Sequence, residues 1–187
     1  MKKDIQLSNL VLTALMIAMV TVATILIRIP TPTTSGYINL GDGMVFFAAL
    51  LLGKKRGVLA AGLGSALGDL FSGYAFWAPW TFCIKALMAL TFILCMEGLF
   101  KDEKSPLKII GVPLRELIGM ICGGFVMVAG YYIAAAIMYG NWLTPIDSLL
   151  PNTLQFSVGI VVAIALSKAL YKTPSRRYFA YRLDQLH

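Results

Sequence analysis

Two residues of opposite charge, Asp69 and Lys85, interrupt runs of otherwise apolar sequence, and Tyr131, Tyr132, Asn152 and Gln155 do the same further along the chain. Asn152 and Gln155 are spaced to share one face of a helix, and Trp77 and Trp80 stand just ahead of Lys85. A carboxylate accepts hydrogen bonds, an ammonium donates them, a primary amide does both, and indole rings supply flat apolar walls. That set suits non-covalent binding of a ligand. It does not suit bond breaking, because the chain has no buried His, no H-E-x-x-H and no paired Glu cluster to act as nucleophile and base or to ligate a metal. No catalytic residue, metal ligand or cofactor is therefore expected.

The elements that must position these residues follow from composition. The chain is 187 residues long, 58% hydrophobic and only 13% charged, with a mean hydropathy of +0.77. This describes an all-α integral membrane protein rather than a water-soluble globule. The apolar runs predict a single membrane domain over residues 1–187, with six transmembrane helices at about 8–27, 42–52, 57–71, 79–100, 115–139 and 147–170 and a basic tail at 171–187. The first run is too long, and followed by too much apolar chain, to be a cleaved signal peptide. The second is too short to span a bilayer alone, so it must lean on its neighbours while the loop before it stays in a protein-lined cavity. Pro151 falls in the first turn of the sixth, where its missing N–H breaks no helical bond.

Basic residues fall on alternate connections and on both termini. Lys2 and Lys3, then Lys54, Lys55 and Arg56, then Lys101, Lys104, Lys108 and Arg115, and finally Lys168, Lys172, Arg176, Arg177 and Arg182 mark one side as cytoplasmic, with both termini on it. The opposite connections, 29–41, 72–78 and 140–146, hold no Lys or Arg, although Arg28 borders the first. The net charge of +7 is thus a topology signal and not a nucleic-acid footprint. On this reading the polar residues above all lie in the outer half of the bilayer. An ionised side chain there costs about 3 kcal/mol or more unless it is paired or faces a cavity. Two accounts stay open: Asp69 and Lys85 neutralise each other between adjacent helices, or at least one of them reaches a ligand together with Asn152 or Gln155. Glu97, near the cytoplasmic end of its segment, is explained by snorkelling or a partner contact.

Other features are structural. Gly64 and Gly68, and again Gly119 and Gly123, have the small-xxx-small spacing of close helix contacts. The run GLGSALG follows no strand and lacks dinucleotide-loop spacing. Cys83, Cys95 and Cys122 are small apolar filler within spans, and His187 is terminal. Asp42, flanked by glycines in GYINLGDGM, opens the second segment and suits capping of its free N–H groups. The loop before it, with Pro30, Pro32, three Thr residues, Ser35, Tyr37 and Asn39, suits a stiff uncharged lid with Tyr37 and Asn39 turned inward.

The stretch GYINLGDG followed by FFAALLLGKKRGVLAAGLGSALGDL resembles the substrate-binding S-components of energy-coupling factor (ECF) vitamin transporters, and the likeness extends from Leu12 to Leu170. The resemblance implies six helices in the plasma membrane of a prokaryote, a small water-soluble vitamin or precursor bound near the extracellular face, and the first outer loop as its lid. Tyr37, Asn39, Asp69, Trp77, Trp80, Lys85, Tyr131, Tyr132, Asn152 and Gln155 are the expected ligand set. It also implies an Ala-x-x-x-Ala face in the first helix, here Ala14-Leu-Met-Ile-Ala18, that packs on a coupling transmembrane subunit. Within the family the chain is most similar to the hydroxymethylpyrimidine and pyridoxine type; folate-type and riboflavin-type ligands are alternatives. The chain has no phosphate-binding loop, so energy comes from partners, which the resemblance identifies as the coupling subunit and two ATP-binding subunits. The basic tail suits contact with membrane lipid or those partners. An ion-coupled secondary transporter using Asp69 or Lys85 is the alternative of a different class.

Overall fold

The structure is a computed structural model that describes residues 2–31, 36–98, 108–109 and 112–181. The lid residues 32–35, the helix end at 99–100 with Lys101 and Lys104, and the tail residues 182–187 lie outside the described residues. Five α-helices dominate: α1 (Lys2–Leu26), α2 (Gly41–Phe71), α3 (Ala78–Gly98), α4 (Leu114–Tyr139) and α5 (Leu149–Tyr171). A 3₁₀ turn, Thr144–Ser148, leads into α5, and another, Pro174–Tyr178, follows it. Between α1 and α2 the strands β1 (Arg28–Thr31) and β2 (Gly36–Asn39) pair antiparallel, Arg28 opposite Asn39 and Pro30 opposite Tyr37. Before α4, β3 (Lys108–Ile109) and β4 (Val112–Pro113) form a second, shorter pair. Four helical stretches are long and apolar enough to cross a membrane: Gln6–Leu26, Ala78–Gly98, Leu114–Tyr139 and Thr144–Tyr171.

The two helices expected at 42–52 and 57–71 are the two arms of α2, which meet at a single non-helical residue, Gly53, at φ +73° and ψ −171°, rather than through a longer turn. Lys54, Lys55 and Arg56 are good helix formers and begin the second arm, so only one residue has to leave the helical basin, and glycine reaches φ > 0 at no steric cost. The arms fold back on each other: a Cβ at Gly57 would lie 2.8 Å from Ala49 Cα. Asp42 and Asp69, at opposite ends of α2 in sequence, thereby arrive at the same end of the bundle.

The first arm is the central rod. Every residue from Gly41 to Gly53 is buried, which is how so short an apolar helix survives. The remaining helices approach it through small residues. Gly43 lies under Val162 and Gly159 of α5; Gly64 and Gly68 of the second arm meet Val20 and Thr24 of α1; Gly119 and Gly123 of α4 meet Phe92 and Met88 of α3. The small-residue spacing thus marks the α1–α2 and α3–α4 seams.

At the far end of the first arm the carbonyls of Leu50 and Leu51 have no continuing helix to bond them. The chain after α5 supplies the donors, Ala180 N–H to Leu51 O at 2.9 Å and Tyr181 N–H to Leu50 O at 3.3 Å. Phe179 is buried against the rings of Phe47 and Tyr171, and the Tyr181 hydroxyl donates to Glu97 Oε1 at 2.6 Å, with Lys54 3.7 Å from the same carboxylate. Residues 179–181 therefore form a strap over the elbow rather than a free basic tail, while Arg176, Arg177 and Tyr178 stay exposed.

Candidate functional site

At the opposite end, where the β1–β2 hairpin meets the ends of α2 and the starts of α3 and α5, the chain lines a partly open cavity with about 510 Å³ of empty space, open solvent included. Tyr37 and Asn39 of β2, Asp69 of α2, Trp77, Thr81 of α3, Tyr131 and Ala135 of α4, Ser148, and Asn152 and Gln155 of α5 line it. Helical spacing explains the set. Trp77, Thr81 and Lys85 recur every four residues and share a face, as do Tyr131 and Ala135, and Ser148, Asn152 and Gln155.

Beneath the cavity lies a closed polar network. Lys85 Nζ donates to Asp42 Oδ1, Gln155 Nε2 donates to Asp42 Oδ2 at 2.9 Å, and the Asn39 N–H donates to Gln155 Oε1 at 2.8 Å. Lys85 and Asp42 are 2% and 0% exposed at their side chains, so this ion pair is almost fully desolvated, and the Gln155 amide bonds the second oxygen of its carboxylate. The Lys85 ammonium also stands 5.3 Å from the centre of the Tyr131 ring. Of the two accounts left open above, mutual neutralisation of Asp69 and Lys85 is not what the structure shows: Lys85 pairs with Asp42. The capping role expected of Asp42 is corrected too. Leu40 occupies the cap position without a side-chain bond, and Asn39 Oδ1 accepts the Gly41 N–H at 2.8 Å. Asp42 sits one residue inside the helix, pressed against Gly159, and its carboxylate turns toward the interior charge.

Above this floor, Asp69 is 4% exposed, and the Tyr37 hydroxyl donates to its Oδ1 at 2.6 Å. Among the described residues nothing completes a hydrogen bond to its Oδ2, although the Thr81 hydroxyl lies alongside. Thr81 Oγ1 itself accepts from the Tyr131 hydroxyl at 3.1 Å. Burial, and then the adjacent Asp69 charge, raise the Tyr37 phenol far above the usual tyrosine value, which keeps it a proton donor to the carboxylate. Aromatic rings form the walls: Trp77 and Tyr131 have centroids 5.9 Å apart, and Tyr37 stacks on Tyr74 at 4.6 Å. Arg28 marks the rim, exposed, reaching Ser72 O at 3.5 Å.

Seven of the ten expected ligand residues, Tyr37, Asn39, Asp69, Trp77, Tyr131, Asn152 and Gln155, line this one cavity. Lys85 lies under it in the floor pair. Trp80 and Tyr132 do not line it, since each is one residue, or about 100° of helix, away from the cavity face. Trp80 is half-buried against the core, and the Tyr132 hydroxyl donates to Trp142 O at 2.8 Å. Thr81, Ala135 and Ser148 are lining residues absent from the expected set, though each stands at helical spacing from a residue within it. Ala14 and Ala18 lie far from the cavity in sequence and depth and are exposed on the outer face of α1.

Comparison with known proteins gives a consistent picture. A family model described as "ECF-type riboflavin transporter, S component" matches residues 4–172. A Pyrococcus woesei protein described only as an uncharacterized protein in a gap 3′ region is 40% identical over 153 residues, covering 82% of this chain and 95% of that one. The thiamine precursor transporter HmpT of Lactococcus lactis subsp. cremoris (strain MG1363) is 27% identical over 168 residues, covering 89% of this chain and 90% of that one. The solved structure of the S component of a bacterial ECF transporter superposes with a TM-score of 0.65 at 20% identity, covering 88% of this chain and 96% of that one, a likeness of fold.

Proposed function

This chain belongs to the ECF-type S-component family, and from that premise we propose that it is the high-affinity binding subunit of an ECF importer for a small hydroxymethyl-bearing nitrogen heterocycle of the hydroxymethylpyrimidine or pyridoxine kind. S components are multi-pass plasma-membrane proteins that bind small vitamins and work with a membrane coupling subunit and ATPases. The observation that carries the finer reading is the cavity, in which Trp77 and Tyr131 together form an aromatic wall beside the Asp69 carboxylate and the Asn152 and Gln155 amides. A flat ring packed against that wall meets polar groups at its edge, which is the arrangement small heterocycles need. HmpT, by its name a thiamine precursor transporter, adds weight to the pyrimidine. A riboflavin-type ligand is the second reading, favoured by the description of the matching family model. The distribution of Lys and Arg supports an orientation with both termini and the elbow strap on the cytoplasmic side and the cavity on the extracellular one.

The purified chain, without ATP or partners, is expected to bind one member of a panel of hydroxymethylpyrimidine, pyridoxine, thiamine, riboflavin and folate, with quenching of Trp77 fluorescence. No saturable binding by fluorescence or calorimetry to any of them would overturn the reading. Transport is expected only with the coupling subunit and two ATP-binding subunits present. Uptake by the isolated chain under a proton or sodium gradient would instead make it an ion-coupled carrier. Because Ala14 and Ala18 form a flat exposed patch, Ala14→Trp is expected to leave affinity intact while abolishing co-purification and ATP-driven uptake. Undiminished uptake by that variant would remove the coupling role from this face.

A further inference from the structure

The charges around the cavity do not balance, and the imbalance has a position. Lys85 is consumed by Asp42, with Gln155 completing the carboxylate, so the floor presents no free ammonium to a ligand. Asp69 is the remaining acidic group on the lining, and its Oδ1 is already taken by the Tyr37 hydroxyl. Its Oδ2 is buried and completes no hydrogen bond among the described residues, although the Thr81 hydroxyl lies alongside. Arg28 is exposed at the rim and turned to Ser72 O, and Asp147, next to Ser148, is exposed as well, so water screens both. A buried acceptor left unmatched is destabilising, and more so when it carries charge. A ligand that brings an N–H to this atom recovers that loss. One that brings a carbonyl, carboxylate or phosphate oxygen adds repulsion to it.

We infer that Asp69 Oδ2 sets the specificity of the site, selecting rings that present an amine or a protonated ring nitrogen at their edge and excluding anionic or acceptor-edged analogues. This rests on the binding-subunit reading above and deepens it by naming the chemical class. The Tyr37 contact makes the selection directional. The Tyr37 phenol holds Oδ1 and so fixes the orientation of the carboxylate. The neutral floor pair keeps the ligand's positive edge on Asp69 rather than sharing it with Asp42.

The test compares two ligands that differ along one ring edge, hydroxymethylpyrimidine with its ring amine and an oxo form in which that amine is replaced by an oxo group and the adjacent ring nitrogen is methylated so that no N–H remains, together with the phosphate ester of the first. Calorimetry on the full-length protein in detergent is expected to show the amine form bound at least about tenfold tighter than the oxo form, the equivalent of about 1.4 kcal/mol. The phosphate ester should bind no better than the oxo form. In Asp69→Asn the preference for the amine should fall to about twofold or less, because an amide at this position can turn either a donor or an acceptor to the ring. Equal affinity of the wild-type protein for amine and oxo forms overturns the inference while leaving the binding-subunit reading intact, and needs no variant to be stable. So does a preference that survives Asp69→Asn undiminished. If the wild-type protein binds neither form nor any other vitamin in the panel, the binding-subunit reading fails and this inference falls with it.

Discussion

Replacing Lys85 by Met removes the ammonium but leaves the Asp42 carboxylate at 0% side-chain exposure with only the Gln155 amide to bond it. Breaking a buried pair from one side costs about 3–5 kcal/mol, because an uncompensated charge stays in a medium that cannot solvate it. For a chain of this size that corresponds to a fall in melting temperature on the order of 6–20 °C. Asp42→Asn alone strands the ammonium and is expected to be comparably harmful. The double variant is the informative one. The amide introduced by Asp42→Asn still accepts from Gln155, and the methionine of Lys85→Met fills the lysine stem's volume, so the residual cost is that of one imperfect polar contact, about 1–3 kcal/mol. The double variant should therefore be more stable than either single one, with a coupling energy of several kcal/mol. The same cycle built on Lys85 and Asp69 should show clearly weaker coupling, since Asp69 bonds Tyr37 and forms no ion pair with Lys85 among the described residues. Thermal and denaturant unfolding in one detergent, with and without ligand, measures all five variants. A Lys85–Asp69 coupling larger than the Lys85–Asp42 coupling, or single variants as stable as the wild type, would refute the floor network.

Three further outcomes follow from other parts of the fold. In Gly64→Ala the new Cβ would lie 2.7 Å from Val20 Cβ and 2.8 Å from the Ile17 carbonyl, so α1 must shift, and a loss of about 1–3 kcal/mol in unfolding experiments is expected. Phe179→Ala empties the slot between Phe47 and Tyr171 and should release the strap before the bundle, seen as lost hydrogen-exchange protection at the Ala180 and Tyr181 amides with α4 unaffected. Tyr37 is raised above the ordinary tyrosine value of about 10 while it donates to Asp69, so the bonded phenol holds its proton where a solvated one begins to lose it. The contact is fully supported below about pH 10 and weakens as pH rises above it; ligand dissociation should accelerate there in the wild type, and in Tyr37→Phe that added pH dependence should be absent.

What could be read from the chain and what could not divide along physical lines. Hydropathy and small-residue spacing are local, and they gave the apolar helices, the Gly64/Gly68 and Gly119/Gly123 seams and the clustering of polar groups toward one end. Helical faces are nearly local, and a stricter use of the four-residue spacing would have replaced Trp80 by Thr81 and Tyr132 by Ala135. The bend at Gly53 was legible as a break but not as a single-residue one, because the basic triplet after it looked like a loop and is the first turn of a helix. The partner of Lys85 was not legible at all. Asp42 and Asp69 are both buried acids at the same end of the bundle, and only the fold-back of α2 and the insertion of its first arm between α3 and α5 decide which of them the ammonium meets.

The glycines beside Asp42 show why that choice is made by packing. A Cβ at Gly41 would strike Thr24 Oγ1, and one at Gly43 would lie 2.6–2.8 Å from the Val162 side chain. The two glycines therefore let the first turn of α2 sink between α1 and α5 until Asp42 is level with Lys85 and Gln155. A side chain in either place would hold this turn outward, separate the carboxylate from both donors and take the Asn39–Gln155 bond with it, since Asn39 is tied to Gly41 through its own amide oxygen. Glycine here serves close approach, not loop flexibility, and the buried pair it permits leaves Asp69 as the acid on the cavity lining with an oxygen to spare.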